Sequence, residues 1–398
     1  MAGRIAFRPG KDWEDALMVA TLLDLVTLRL ARFWTRSRLR RLFFTAIEID
    51  GDPLDYRGKP HELLVGFALS FCLLAPVAAG AAALLAVAEA EAAGSVLLAY
   101  AICGALAFGY GVAGYAARGY LLSRLAWRGV TGRQDGSMLQ FGFLWLSWAV
   151  AFLLSAGLCV PRACRALAAY RWRFTRWGGL RGGFTGRAEQ LEPEWRRIWL
   201  VHVLPLYAAA FWVLFERDWH PAALPWELEL AFDEMVRNEA GLILLWVAGG
   251  LWLYSGLMQF RIAWLRWLVN GCALGPIRFY CRLDGAYATH RLQQGILWVE
   301  GLVCAAFLLL LLTGGAETGF FGELGYTSFV WLASAMIFAA WLAARYLHLR
   351  FVFWPLMEQL LPSVAVINVT AAEQAGGEDR KQVAFPAGIA DLGYAHFL

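Results

Sequence analysis

Long apolar runs alternate along this chain with compact polar and basic blocks, and the alternation sets the first expectation for its architecture. A hydrocarbon layer about 30 Å thick is crossed by about 20 mostly apolar helical residues. Six runs meet that requirement, at 63–88, 96–117, 199–215, 240–260, 295–313 and 328–344. Two further runs are ambiguous: 16–34, interrupted by Asp24 and Arg29, and 141–161, which is apolar enough to span.

Charge orders these runs in space. Segment 32–62 carries seven Lys/Arg, 118–142 four, 162–198 nine and 261–292 five, whereas 216–239 holds seven acids against two Arg. Basic loops stay cytoplasmic. Every basic block falls on that side if 16–34 and 141–161 enter and return, or lie in the interface. A full crossing of 16–34 would cost about 2.5–3.5 kcal/mol for each of Asp24 and Arg29 if centred. The expected fold is therefore an all-α polytopic membrane bundle with six full transmembrane helices and two partial, re-entrant or interfacial helices. Both termini are placed in the cytoplasm. An arrangement with eight spans, or one span more or fewer, stays open.

An internal repeat refines the picture. At an offset of 128, Gly51 falls on Gly179, Tyr56 on Phe184, Gly58 on Gly186, Glu62 on Gln190, Leu63 on Leu191, Thr27 on Ser155 and Leu30 on Leu158. Such self-similarity reads as duplication. The units are 1–142, 143–292 and a shortened third at 293–361, followed by a cytoplasmic tail at 362–398. In "TAIEIDGDPLDY", Ile47 and Ile49 alternate with polar neighbours before an Asp50-Gly51 turn, and Pro53 confines the return strand to an edge. Small cytoplasmic β-hairpins are expected, with 131–141 and 275–285 as further copies able to pair edge to edge.

Composition agrees: 60% of the 398 residues are hydrophobic and 17% charged, with a mean hydropathy of +0.52. That is the composition of an integral membrane protein, and residues 1–15 lack the apolar core of a cleavable signal peptide. Seven Cys and six His are scattered without zinc-site spacing, so neither a metal nor another cofactor is expected. Of 35 basic residues 32 are Arg, and orientation in a membrane explains the blocks better than nucleic acid does.

Candidate functional residues follow from charge in unusual places. Glu300, inside the 295–313 run, and Asp24 with Arg29 are intramembrane charges, which mark functional sites by default. Arg36, Arg40 and Arg41 surround a helix whose other side carries Leu39, Leu42 and Phe43. Like Arg171 and Arg173 in the second copy, they are candidates for contact with anionic lipid headgroups, although orientation and anchoring is the plainer role. His202 reads as a helix-packing residue. No Ser/His/Asp or Cys/His arrangement points to an enzyme.

The stretch "TLRLARFWTRSRLRRLFFTAIEIDGDPLDY" resembles the YjgN-like bacterial inner-membrane proteins, a domain of unknown function. Trp34, Arg41, Gly51 and Tyr56 match that family's pattern, while Arg29, Phe33 and Leu42 replace its Gly, Pro and Tyr. In the second copy Gly157, Pro161, Tyr170, Gly179 and Phe184 carry the resemblance, and "AARYLHLRF" carries it near the end. The resemblance implies an inner-membrane location and a membrane zinc metallopeptidase as a partner. Two functional expectations follow: a bundle that binds or transports a small or lipid-like ligand, or a non-transporting scaffold whose basic elements hold a partner protein or anionic lipid.

Overall fold

A computed structural model describes residues 2–68, 80, 92–216, 240–285, 288–290, 293–294 and 325–368. Its helices are α1 (Trp13–Val26), α2 (Arg32–Thr45), α3 (Ala92–Arg124), α4 (Met138–Leu154), α5 (Val160–Arg173), α6 (Glu192–Ile198), α7 (Leu204–Glu216), α8 (Ala240–Gly271), α9 (Gly325–Leu347) and α10 (Trp354–Leu360). π-helical turns join α6 to α7 at Trp199–Val203 and α9 to α10 at His348–Phe353.

The expected all-α bundle is overturned by an 11-stranded sheet, antiparallel at every pairing. Its strands are β1 (Ala2–Phe7), β2 (Ile47–Ile49), β3 (Asp52–Pro53), β4 (Asp55–Tyr56), β5 (Leu125–Trp127), β6 (Val130–Gln134), β7 (Thr175–Trp177), β8 (Leu180–Phe184), β9 (Cys272–Leu274), β10 (Ile277–Cys281) and β11 (Val364–Ile367). They run in the order β3-β2-β1-β11-β10-β9-β8-β7-β6-β5-β4. The two ends of this order, β3 and β4, are separated in the chain by Leu54 alone, whose N–H donates to the Ile47 carbonyl at 2.9 Å. The sheet is thus a nearly closed barrel.

Its regularity is exact at the level of register. Segments 47–56, 125–134, 175–184 and 272–281 each place a two-residue turn after the third residue, with Ile49↔Asp52, Trp127↔Val130, Trp177↔Leu180 and Leu274↔Ile277 as the closing pairs. Asp50-Gly51 and Arg128-Gly129 have positive φ at both turn positions, while Gly178 and Gly275 have it at the first. These are the signs of the two turn families whose twist suits a hairpin. The last three residues of one hairpin pair with the first three of the next, as in Gly132↔Trp177, Arg133↔Arg176 and Gln134↔Thr175, and again in Gly182↔Leu274, Gly183↔Ala273 and Phe184↔Cys272. The fifth unit is split: β11 takes the place of a first strand beside β10, and β1 takes the place of a second strand between β11 and β2.

The barrel interior is filled. Ile5, Ile49, Leu54, Trp127, Trp177, Leu180, Leu274, Ile277, Phe279 and Val366, drawn from every unit, form one apolar cluster. Gly132 makes room for it, since a Cβ there would stand 2.9 Å from the Trp177 ring.

Among the described residues two helical stretches are long and apolar enough to cross a membrane, Tyr100–Arg124 and Ser334–Leu360, and Met138–Leu154 is a shorter apolar helix. Of the six expected spans, 96–117 falls in α3 and 328–344 in α9; 199–215 is divided between a π turn and α7, and 240–260 forms the first part of α8. Run 295–313 and most of 63–88 lie outside the described residues, as do Glu300 and positions 369–398 of the tail.

The two ambiguous runs, 16–34 and 141–161, each reverse on themselves. α1 and α2 form one helical hairpin, α4 and α5 another, and their connections agree bond for bond at the offset of 128. Arg29 N–H donates to Asp24 O at 2.7 Å and Gly157 N–H to Phe152 O at 2.8 Å; Leu30 N–H donates to Thr27 O and Leu158 N–H to Ser155 O, both at 3.0 Å. The hydroxyls of Thr27 and Ser155 accept from the N–H groups of Ala31 and Cys159. Leu28 and Ala156 share φ values of 48° and 49°, and Arg29 at 67° stands where Gly157 has 85°. The turn survives the loss of glycine at position 29.

Candidate functional site

Asp24 and Arg29 come together at the first helical hairpin. The Asp24 side chain is 3% exposed and accepts from Arg345 Nη1 on α9 at 3.1 Å, and Thr35 Oγ1 donates to its other oxygen at 3.3 Å. The Arg29 guanidinium lies 4.5 Å from the centre of the Trp341 ring, also on α9. The cavity beside Asp24 holds only about 10 Å³, about the minimum for a single water. This arrangement pins α9 to the hairpin and leaves no room for a ligand.

The exposed face of helix α2 carries Trp34, Arg38, Arg41 and Thr45, and not the Arg36–Arg40 pair that the sequence suggests. Arg36 and Arg40 are buried, at 3% and 7% exposure, together with Leu39 and Phe43 on the other side; Arg41 is exposed. α2 packs against α1, and Phe67 packs on its Phe33 and Arg32. Burial, reinforced by the nearby charges of Arg40, Arg345, Arg29 and Arg32, pushes the Arg36 guanidinium down to about 8. In the second copy Arg173 is exposed, whereas Arg171 is partly buried over the Phe141 ring at 4.9 Å.

A larger space lies in the second copy. A cavity of about 830 Å³ opens between α3, α4, α5 and α8. Its far end is formed by Phe152, Leu153, Cys159 and Val160 near the α4–α5 turn, its walls include Trp145, Trp148 and Trp264, and Arg118, Arg171 and Trp172 line the end nearest the barrel. Among the described residues no carboxylate lines it. Val160 and Arg171 are eleven residues apart on α5, so the cavity runs about 16 Å along that helix. Arg118 lies 5.1 Å from the Trp172 ring, and Arg171 Nε is buried without a hydrogen-bond acceptor among the described residues. Burial pushes the Cys164 thiol on the wall up to about 12, so it is an apolar lining group and not a nucleophile.

Local sequence explains why these walls stand apart yet stay fixed. α3 and α4 touch closely at the cavity wall, where a Cβ on Gly111 would stand 2.6 Å from Trp145 Cβ. Indole N–H groups hold the turn opposite: Trp195 donates to Gly157 O at 3.0 Å and Trp199 to Ala156 O at 2.7 Å. His202 stacks on Trp252 with centroids 4.8 Å apart, a packing role.

Of the sequence candidates among the described residues, Arg171 alone lines this cavity. Arg118, Trp145, Trp148 and Trp264 were not singled out, because a single sequence shows aromatic residues in apolar helices without showing that four helices aim them at one space. The signal that existed was Arg118 and Arg171, each close to the junction of an apolar helix with a hairpin.

Repeated helical hairpins and long apolar helices standing on a nearly closed antiparallel barrel define an α+β architecture with a cavity among the helices. Residues 10–300 match the family described as bacterial protein of unknown function (DUF898), the YjgN-like family, and the chain belongs to it. No curated protein and no solved structure matches the chain.

Proposed function

We propose that this chain is a bacterial inner-membrane protein that holds a small, lipid-like ligand in the cavity between α3, α4, α5 and α8. The observation that carries the reading is the cavity itself: about 830 Å³, within the range of roughly 300–1,000 Å³ of small-molecule sites, walled by aromatic and aliphatic side chains with few polar groups. The tips of the two helical hairpins support a membrane setting, since Val26 is 80% exposed and its repeat counterpart Leu154 84%. Contiguous exposed apolar surface of this kind suits contact with lipid. Pairing of β1 with β11 puts both on one side, the side of the basic helix–hairpin junctions, consistent with cytoplasmic placement.

Holding is favoured over conduction because the barrel interior is packed with side chains from all five units. Under the scaffold reading, Arg36 and Arg40 are buried and the basic contact falls to the exposed Arg41 and Arg173.

The test uses a neutral alkyl diazirine on protein in lipid nanodiscs, followed by peptide mapping. Light-dependent labelling within 160–172 that disappears in Ala163→Trp, while labelling of both exposed hairpin tips persists, is the expected result. Equal labelling of that segment in wild type and variant, with Ala163→Trp folded, contradicts the reading.

A further inference from the structure

A second cavity, on another side of α8, is polar where the first is apolar. We infer that it binds a phosphoryl group, that of a small phosphomonoester or of a lipid head, through Arg197, Arg266 and His290. The inference stands apart from the ligand proposed for the first cavity. Ile262 and Arg266, which line the second, lie about 200° around α8 from Trp264 and Leu268, which line the first.

The space measures about 390 Å³, within the range of small-molecule sites. Three elements wall it: α6 with Glu194 and Arg197, α8 with Gln259 and Arg266, and the stretch after β10 with Gly285, Thr289, His290 and Gln293. Each wall thus carries one nitrogen base that donates hydrogen bonds, a guanidinium on two of them and an imidazole on the third. Contacts among the walls hold these groups in place. Arg197 Nη2 donates to Glu194 Oε1 at 2.5 Å and across to Gln259 Oε1 at 3.3 Å. Both contacts use one nitrogen of a group that has five N–H donors, so the carboxylate on the wall orients Arg197. Thr289 Oγ1 donates to the Gly285 carbonyl at 2.7 Å, and Gln293 Nε2 to Ser255 Oγ on α8 at 3.5 Å. Gly285 admits Arg266, since a Cβ there would stand 3.2 Å from its Nη1. Donors arriving from three walls suit the tetrahedral oxygens of a phosphoryl group, whereas a planar carboxylate is matched by a single arginine fork. Gln259, Thr289 and Gln293 both donate and accept, which suits the hydroxyls of a polar body attached to the phosphoryl group.

The experiment is isothermal titration calorimetry of the full chain in detergent, at constant ionic strength, with glycerol phosphate and with glycerol as the uncharged comparison. Glycerol phosphate should bind and glycerol should not. Arg266→Gln and His290→Gln should each weaken that binding about tenfold or more, the factor for one lost hydrogen bond to a charged group, while Ala163→Trp in the first cavity should leave it unchanged. A thermal transition shared by wild type and variants shows that the fold is intact; should one of the two variants fail to fold, the other carries the test. Native mass spectrometry with added phosphatidylglycerol separates the two sources. A phosphatidylglycerol adduct kept by the wild type and lost from Arg266→Gln, with no heat from glycerol phosphate, assigns the phosphoryl group to a lipid head. Binding of neither glycerol phosphate nor phosphatidylglycerol, or binding unchanged in both Arg266→Gln and His290→Gln, overturns the inference and leaves the first cavity's role to its own test.

Discussion

Replacing Asp24 by Asn separates a structural role from a functional one. The carboxylate side chain is 3% exposed and its partner Arg345 23%, and Arg29, Arg32 and Arg36 surround the pair. Removing one member of a buried pair costs about 3–5 kcal/mol because the other charge is left uncompensated. Arg345 retains some access to solvent, so the lower end, about 3 kcal/mol, is the appropriate figure. At roughly 2 °C per kcal/mol for a large domain, the thermal midpoint in detergent should fall by about 6 °C. Asp24→Asn combined with Arg345→Met removes both charges and should recover more than half of that loss, with a coupling energy of about 2 kcal/mol between the sites. The assay is thermal unfolding of wild type, both single variants and the double variant, followed by tryptophan fluorescence. A single variant as stable as wild type, or a double variant whose loss equals the sum of the two singles, would refute the argument and return Asp24 to the list of candidate coupling residues.

Other positions give independent checks. Trp127→Ala in the barrel interior should cost about 3–5 kcal/mol, whereas Trp127→Phe should cost less than about 1.5 kcal/mol, because the indole N–H has no hydrogen-bond partner among the described residues; chemical denaturation reads both. Ala156→Gly relieves a φ of 49° and should raise stability by about 1 kcal/mol, seen as a higher thermal midpoint.

The helical hairpins and the duplication were readable in the sequence because their signals are local. Thr27, Ser155 and the Gly51/Gly179 and Tyr56/Phe184 correspondences mark the same turns in each copy, and the Asp50-Gly51 pair announces its hairpin. The barrel was not readable as a barrel. Each hairpin is ten residues long and mixed in polarity, and closure depends on pairings such as Arg4↔Ala365, which join opposite ends of the chain. Hydropathy, meanwhile, treats every apolar run as a span, so the packing of Leu63, Ala113 and Tyr120 inside the protein counted toward a membrane bundle. Arg36 and Arg40 misled for a similar reason: arginine at surface-like spacing reads as solvent- or headgroup-facing unless the elements covering it are known. The cavity lay beyond one sequence because its walls come from α3, α4, α5 and α8, which span 180 residues of chain.

The central claim, that the space among these helices holds a ligand, is tested most directly by native mass spectrometry of the full chain released from detergent. The account predicts one retained lipid-like adduct per chain in the wild type, absent from Ala163→Trp and retained in Trp127→Phe. A wild-type protein that is bare under conditions where it stays folded, or an adduct that survives Ala163→Trp, would contradict it.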